Sequence, residues 1–126
     1  MGKYGYNPGD FGWVEMYTTN PEADLKFYAD ISGWELKGEG MPGSFIFGKT
    51  DEMLGSFTSL PEGETQPRWM PYITVEDIKA TVAKAVETGG SIVKEPFELP
   101  DGHGWLAVIK DPAGAITGLC EWPKPS

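Results

Sequence analysis

The residue with the clearest chemical potential is Glu15, which stands between two aromatic residues in the stretch WVEMYTT, residues 13–19. This stretch is rich in β-forming residues and predicts a strand, in which alternate side chains point to the same face. Glu15 therefore shares a face with Trp13 and Tyr17. A carboxylate in such surroundings can contact a ligand or act as a general base. It can equally be a structural acid hydrogen-bonded to a neighbouring strand or a partner subunit, and the sequence leaves these three roles open.

A second stretch, MPYITVE at residues 70–76, predicts a strand with two different faces. Pro71, Ile73 and Val75 are expected to face a helix. The alternate residues are expected to be open to a cleft: Met70, Tyr72, Thr74 and Glu76. Aromatic rings can stack on a planar or cationic ligand, and the candidates are Trp13, Tyr17, Tyr72 and Trp105. Alternatively, these rings pack against each other across a subunit interface.

Two residue types that often do catalytic work occur once each. Cys120 cannot form an internal disulfide, and nothing near it in the sequence indicates an activated thiolate, so we do not expect a nucleophile. His103 lies between two glycines, which is typical of an exposed loop; a place at a pocket rim stays open, and the sequence does not settle its role. The run Asp111-Pro112-Ala113-Gly114 has the chemistry of a tight turn and is interpreted as structural.

The charge balance excludes one class of partner. The 126 residues carry 19 acidic and 10 basic side chains, for a net charge of -9, and Arg68 is the only arginine. Nucleic-acid binding requires clustered basic residues, so it is not expected. The acidity is explained either by solubility or by attraction of a cationic small molecule. No apolar run is long enough to cross a bilayer, and the start of the chain lacks the features of a secretory signal, which together predict a cytoplasmic protein without membrane contact.

The predicted elements form the same pattern twice. Residues 21–32 and 78–88 have the periodicity of amphipathic helices, with Asn20 and Asp77 as N-caps and glycines at 33 and 89–90 as stops. The caps are 57 residues apart in the chain. Each helix follows one predicted strand and precedes three, which gives two βαβββ modules at about 10–60 and 69–123 joined by a polar linker at 61–68. We therefore expect a single α+β domain, residues 1–126, with one main helix per module and two mixed sheets that form a cleft.

This tandem pattern resembles the vicinal oxygen chelate superfamily, which includes glyoxalase I, extradiol dioxygenases and bleomycin-resistance proteins. The resemblance rests on three pieces that occur in the family's order. They are WVEMYTTNPEADLKFY followed by SGW, YITVEDIKATV with ETGG, and WLAVIKDPAGAITGL with its D-P-x-G turn. The resemblance is fullest to the metal-poor, glyoxalase-like or bleomycin-resistance-like branch.

The resemblance also identifies where a family metal would bind. Metal-dependent members place a ligand seven residues before each helix cap, which here gives Trp13 and Met70, and a glutamate seven residues after the Asp of the D-P-x-G turn, which here gives Gly118. The counterpart in the first half is Gly55 or Ser56. None of these side chains offers an imidazole or a carboxylate, so we expect neither this metal nor another cofactor.

Two functions from different classes follow. One is a binding protein that sequesters an aromatic or cationic small molecule, an antibiotic among the candidates, in the manner of the bleomycin-resistance branch. The other is a metal-independent isomerase, epimerase or lyase that acts on a small carbonyl compound with Glu15 as general base. An interaction domain that keeps only the scaffold is a third alternative. The expected ligand contacts are Trp13, Glu15, Tyr17, Met70, Tyr72, Thr74, Trp105 and Gly118. The resemblance further implies a homodimer, in which the modules pair within a chain or between chains.

Overall fold

The computed structural model describes residues 6–124 and has an α+β fold. The first five and last two residues lie outside the described range. The expectations about the start of the chain and about the limits of the domain rest partly on these residues. The elements are β1 (Phe11–Thr18), α1 (Pro21–Ser32), β2 (Glu35–Glu39), β3 (Ser44–Lys49), β4 (Glu52–Ser59), β5 (Arg68–Thr74), α2 (Ile78–Glu87), β6 (Ser91–Glu98), β7 (Trp105–Lys110) and β8 (Ile116–Glu121). Both predicted helices and all eight predicted strands are therefore present. No helix in the described part of the chain is long and apolar enough to span a bilayer.

The helices begin and end where the sequence predicts. The Asn20 side chain accepts a hydrogen bond from the Ala23 N–H at 3.2 Å, and the Asp77 side chain accepts one from the Ala80 N–H at 3.1 Å. Each satisfies an amide at the first turn that has no partner within the helix. α1 stops at Gly33, whose φ of 79° lies in the left-handed region that favours glycine. The capping residues thus mark the ends of the helices.

The chain divides into two compact units. Val14–Met70 forms the first unit, and the residues from Pro71 onward, together with those up to Trp13, form the second. The start of β1 consequently belongs with β5. Within the second unit, Thr74 N donates to Asp10 O at 2.8 Å and Gly9 N donates to Thr74 O at 2.9 Å.

In the first unit the strand order is β2-β3-β4-β1, with β1 parallel to β4 and the other pairs antiparallel. Leu25 of α1 packs on a buried cluster that includes Met16, Phe47 and Phe57. Met16 is therefore on the helix side of β1, as its alternation with Glu15 predicts. Trp34 also packs here, 4.5 Å from Phe47 between ring centres, and has the packing role that its position at a strand end indicates.

The second unit repeats this arrangement, with strand order β5-β8-β7-β6 and β5 parallel to β8. The buried cluster is formed by Ile78 and Val82 of α2 with Ala107 and Leu119 of the sheet. Ile73 and Val75 pack against this cluster, which confirms that they lie on the helix face of β5.

Of the four residues that were predicted to be open to a cleft, Glu76 is exposed and the other three are buried. Met70, Tyr72 and Thr74 are only 4%, 2% and 3% exposed. Parity assigned their face correctly, but parity identifies which side chains point together and carries no information on what covers them.

Candidate functional site

The polar centre of the first unit is the Glu15 carboxylate, which is held from two directions. Tyr17 Oη donates a hydrogen bond to Glu15 Oε1 at 2.7 Å, and Ser56 Oγ donates to Glu15 Oε2 at 3.3 Å. Tyr17 reaches it because residues two apart in a strand share a face. Ser56 reaches it because the parallel register of β1 and β4 sets Glu15 directly opposite Ser56. Two hydroxyl donors on half-buried strands thus orient the carboxylate.

Arg68, at the start of β5, extends this centre. Its guanidinium carbon lies 4.9 Å from the centre of the Tyr17 ring, and the guanidinium forms an ion pair with Glu64. Stacking of this kind suits a planar, weakly hydrated cation. We call Glu15, Tyr17, Ser56 and Arg68 the Glu15 cluster. The sequence assigned no role to Arg68, although a lone arginine in a chain of net charge -9 was a signal that could have identified it.

The structure also settles which residue of the first unit corresponds to Gly118. Tyr72 is opposite Gly118 across β5 and β8, as Glu15 is opposite Ser56 across β1 and β4. Ser56 is therefore the counterpart, and its hydroxyl is engaged by Glu15.

The family metal positions do not fit a metal ion. A Cβ atom at Gly118 would lie 2.3 Å from Cδ2 of Tyr72, so the buried ring fills the space that a glutamate at 118 would need. At Gly55, a Cβ atom would lie 1.9 Å from the carbonyl oxygen of Val14. Trp13 and Met70 carry no oxygen or imidazole donor. Elsewhere in residues 6–124, no three His, Cys, Asp or Glu side chains are grouped so that they could hold a metal ion.

A buried polar group lies beside Tyr72 in the second unit. Trp122 Nε1 donates to Thr74 Oγ1 at 3.1 Å, and Thr74 Oγ1 lies 3.6 Å from Cys120 Sγ. Burial raises the pKa of the Cys120 thiol to about 11, although the hydrogen bond with Thr74 opposes the shift. The thiol is therefore protonated at neutral pH, in agreement with the expectation that Cys120 is not a nucleophile.

The predicted aromatic contacts separate into different environments. Trp13 meets Trp122 edge-on at 6.3 Å between ring centres, and Trp122 stacks on Tyr6 at 5.0 Å. Trp122 therefore packs against two other aromatic rings. Trp105 lies on the α2 side of the sheet, packed against the Ile78 cluster. Because Tyr72 is on the opposite face, the structure does not bring Trp105 and Tyr72 together.

A groove of about 610 Å³ surrounds the start of α2, and the sequence did not anticipate it. Lys79 Nζ lies 4.4 Å above the Trp105 ring, and Glu121 Oε1 accepts from the Ile78 N–H at 2.8 Å. Lys124 Nζ donates to the carbonyl oxygen of Glu76 at 2.6 Å. The polar groups of this groove thus cap the helix and hold Lys124 against the residue at 76.

The remaining candidates lie in turns. His103 is exposed and follows the short 3-10 turn Pro100–Gly102. Asp111 Oδ1 accepts from the N–H groups of Ala113 and Ala115, each at 2.9 Å. These two bonds close the hairpin between β7 and β8, so Asp111 has the structural role that its turn sequence predicts.

Comparison with known proteins identifies the family to which this geometry belongs. A family model described as "Glyoxalase/Bleomycin resistance protein/Dioxygenase superfamily" matches residues 10–117. The chain belongs to this superfamily. Both βαβββ units lie almost entirely within the matched range, which ends one residue before Gly118.

Individual members of the superfamily share up to about a third of the sequence. "Putative glyoxylase CFP32" of Mycobacterium tuberculosis is 32% identical over 121 residues, covering 90% of this chain and 46% of the relative. "Anthracycline biosynthesis protein DnrV" of Streptomyces peucetius is 35% identical over 118 residues, covering 90% of this chain and 42% of the relative. The chain thus spans less than half the length of these curated relatives.

Among solved structures of the same fold is methylmalonyl-CoA epimerase from Mycobacterium tuberculosis. It superposes with a TM-score of 0.68 over 99% of this chain and 93% of that chain, at 15% sequence identity. At this identity the likeness establishes the fold alone.

Proposed function

We propose that this superfamily member is a small-molecule-binding protein that uses Glu15, and no metal at the family positions, to hold its ligand. The observation that carries the proposal is the Glu15 cluster: a carboxylate oriented by Tyr17 at 2.7 Å and Ser56 at 3.3 Å. Both donors are neutral hydroxyls, so they orient the carboxylate without changing its charge. A ligand amine, amidine or other cationic donor is the chemical group that such a carboxylate binds best.

The aromatic surroundings support a ligand with a planar, apolar body. Tyr17 lies beside the carboxylate, and the overall charge of -9 favours the approach of a cation. The name of the Streptomyces relative, an anthracycline biosynthesis protein, agrees with an aromatic ligand. Sequestration of such a compound, an antibiotic for example, is the activity we propose, with the ligand released unchanged. A homodimer in the cytoplasm stays part of this proposal, whereas the burial of Met70, Tyr72 and Thr74 removes these three predicted contacts from it.

A metal-independent isomerase, epimerase or lyase is a second candidate, and one observation favours it. Proton abstraction next to a carbonyl needs a base and a donor for the developing negative charge. The candidates for this donor are Tyr17, Tyr72 and Thr74. Tyr17 lies within hydrogen-bond distance of Glu15. Glu15 would then accept the proton, and the Tyr17 hydroxyl would stabilise the enolate oxygen.

A thermal-shift screen tests the proposal. The panel contains cationic aromatic amines, neutral analogues of the same size, small carbonyl compounds and divalent metals. A ligand at about one hundred times its Kd adds roughly 2.7 kcal/mol of stability, which shifts the melting temperature by several degrees. We expect stabilisation by a cationic aromatic compound that is recovered unchanged. Conversion of a carbonyl compound would instead support the second candidate function, a metal-independent enzyme.

Substitution of Glu15 tests whether the stabilising ligand binds at the Glu15 cluster. Glu15→Gln keeps the size of the side chain and removes its charge, so affinity for the cationic ligand is expected to fall about tenfold or more. Glu87→Gln is the matched control, because Glu87 is an exposed acid of α2 that pairs with Lys84. Equal affinities of the wild type and Glu15→Gln for the cationic ligand would contradict the proposal.

A further inference from the structure

We infer that Arg68 is a second anchor at the Glu15 cluster and that the ligand carries an anionic group in addition to the group bound by Glu15. The inference rests on the proposed function and specifies its ligand class: a small organic zwitterion that carries a cationic donor and a carboxylate or phosphate.

Tyr17 contacts both charged side chains. The guanidinium carbon of Arg68 lies over its ring, 4.9 Å from the ring centre, and its hydroxyl lies 2.7 Å from Glu15 Oε1. A positive and a negative side chain therefore meet the same tyrosine, one at the ring face and one at the hydroxyl. A small ligand beside Tyr17 can place its cationic end on Glu15 and its anionic end on Arg68.

The chemistry of Arg68 suits an exchangeable anion. A guanidinium has five N–H donors in a fixed fork and binds carboxylates or phosphates through two of them at once. Here Nη1 is bonded to Glu64, which lies in the segment between β4 and β5. The Arg68 and Glu64 side chains are 32% and 44% exposed. Exposed ion pairs of this kind are weak, so a ligand anion can replace Glu64 or share the guanidinium with it.

The charge distribution adds a second reason. The net charge of -9 repels anions from most of the surface, and Arg68 is the only arginine of the chain. Stacking holds the guanidinium on the ring of Tyr17, whose hydroxyl donates to the carboxylate that the proposed function uses. An anion that binds near Glu15 therefore has one well-placed partner in the first unit.

Three small probes test the inference by calorimetry or ligand-observed NMR: 4-(aminomethyl)benzoate, benzylamine and benzoate. In the first probe, an amine and a carboxylate lie at opposite ends of one benzene ring, and each of the others keeps one charge. We expect the wild type to bind 4-(aminomethyl)benzoate about tenfold more tightly than benzylamine, which is the effect of one charge-assisted contact. Arg68→Met should abolish this difference.

Two further variants complete the design. Glu64→Gln removes the competing carboxylate at an exposed position and should strengthen binding of 4-(aminomethyl)benzoate and benzoate but not of benzylamine. This variant also tests the inference if Arg68→Met does not fold. Lys84→Met is the matched control, because Lys84 is an exposed cation of α2 that pairs with Glu87. It should change none of the three affinities.

The outcomes separate this inference from the proposed function. If 4-(aminomethyl)benzoate binds no more tightly than benzylamine, or if Arg68→Met leaves its advantage intact, the role of Arg68 is wrong while binding at Glu15 stands. If Glu15→Gln binds benzylamine as the wild type does, the proposed function fails irrespective of Arg68. Absence of binding by all three probes at their solubility limits overturns the zwitterion class.

Discussion

The two units share one topology, but they differ in the pair of residues at one equivalent position of their parallel strands. The pair is hydrogen-bonded in the first unit and consists of a ring over a glycine in the second. In the first unit, Glu15 of β1 is opposite Ser56 of the parallel strand β4, and their side chains are hydrogen-bonded. In the second unit, Tyr72 of β5 is opposite Gly118 of the parallel strand β8, and the tyrosine ring occupies the space above the glycine. Glu15 and Tyr72 are 57 residues apart, the same offset as the two helix caps.

This difference shows how one scaffold supports either a polar site or packing at one position. A carboxylate opposite a hydroxyl forms a polar pair, and the carboxylate residue of this pair is partly exposed. A ring opposite a glycine removes both the polar groups and the space. The Tyr72 position is 2% exposed in the chain, whereas Glu15 is only partly buried. Chemistry within the described residues is therefore to be sought in the first unit.

The largest expected effects come from side chains added at Gly118 and Gly55, and the first tests whether the Tyr72 ring excludes a side chain at 118. Gly118→Ala places a methyl group 2.3 Å from Tyr72 Cδ2 and should lower the free energy of unfolding by about 1–3 kcal/mol. Removal of the ring should relieve this clash, so Gly118→Ala should cost little in a Tyr72→Ala background. Urea unfolding of the wild type, both single variants and the double variant gives the coupling.

Gly55→Ala is the control for this double-mutant cycle of Gly118 and Tyr72. A methyl group at 55 would lie 1.9 Å from the backbone carbonyl oxygen of Val14, and no side-chain deletion removes a carbonyl group. Gly55→Ala should therefore cost about 3 kcal/mol, a loss that Tyr72→Ala does not relieve. Additive effects of Gly118→Ala and Tyr72→Ala would contradict the account of the second unit.

The buried thiol of the second unit gives an intermediate effect that depends on pH. Burial raises the pKa of Cys120 from 9.0 to about 11, so between these values the unfolded chain loses a proton that the folded chain keeps. The free energy of unfolding must then fall as pH rises through this range, by at most about 1.4 kcal/mol per pH unit. Below about pH 9 the contribution of the thiol is fully present.

Comparison with Cys120→Ala isolates the thiol from the lysines and tyrosines that titrate in the same range. The stability of the wild type should decline more steeply than that of Cys120→Ala between pH 9 and 11 in urea unfolding. Parallel curves would mean that the thiol titrates in the folded protein as it does in the unfolded chain.

Much of the fold could be predicted from local sequence signals. Asn20, Gly33 and Asp77 mark helix ends because capping and left-handed glycine depend only on neighbouring residues. Alternation along β1 and β5 placed Met16 and Ile73 on the helix faces. These predictions depend on periods of two and 3.6 residues, which the sequence displays directly.

The parts of the site that were missed depend on tertiary neighbours. Ser56 reaches Glu15 only through the register of two strands that are distant in the sequence. Arg68 is distant from Tyr17 in the sequence, and only the folded chain brings its guanidinium over the Tyr17 ring. Alternation could not show that Tyr72 is covered, since cover comes from residues outside the strand. Glu15 itself was identified because its neighbours Trp13 and Tyr17 lie within two residues of it.

The smallest expected effects concern the hydrogen bonds that orient Glu15. Ser56→Ala removes one donor and should lower the free energy of unfolding by about 1 kcal/mol. Tyr17→Phe removes the other donor at 2.7 Å but keeps the ring on which Arg68 stacks. Both variants should weaken binding of benzylamine about threefold to tenfold, because the carboxylate loses part of its fixed orientation.

Only ring removal, Tyr17→Ala, should also abolish the advantage of 4-(aminomethyl)benzoate. Ser59→Ala, at an exposed serine that ends β4, is the control and should change neither stability nor affinity. If Tyr17→Phe by itself abolishes that advantage, the hydroxyl and not the stacked guanidinium holds the anionic end of the probe.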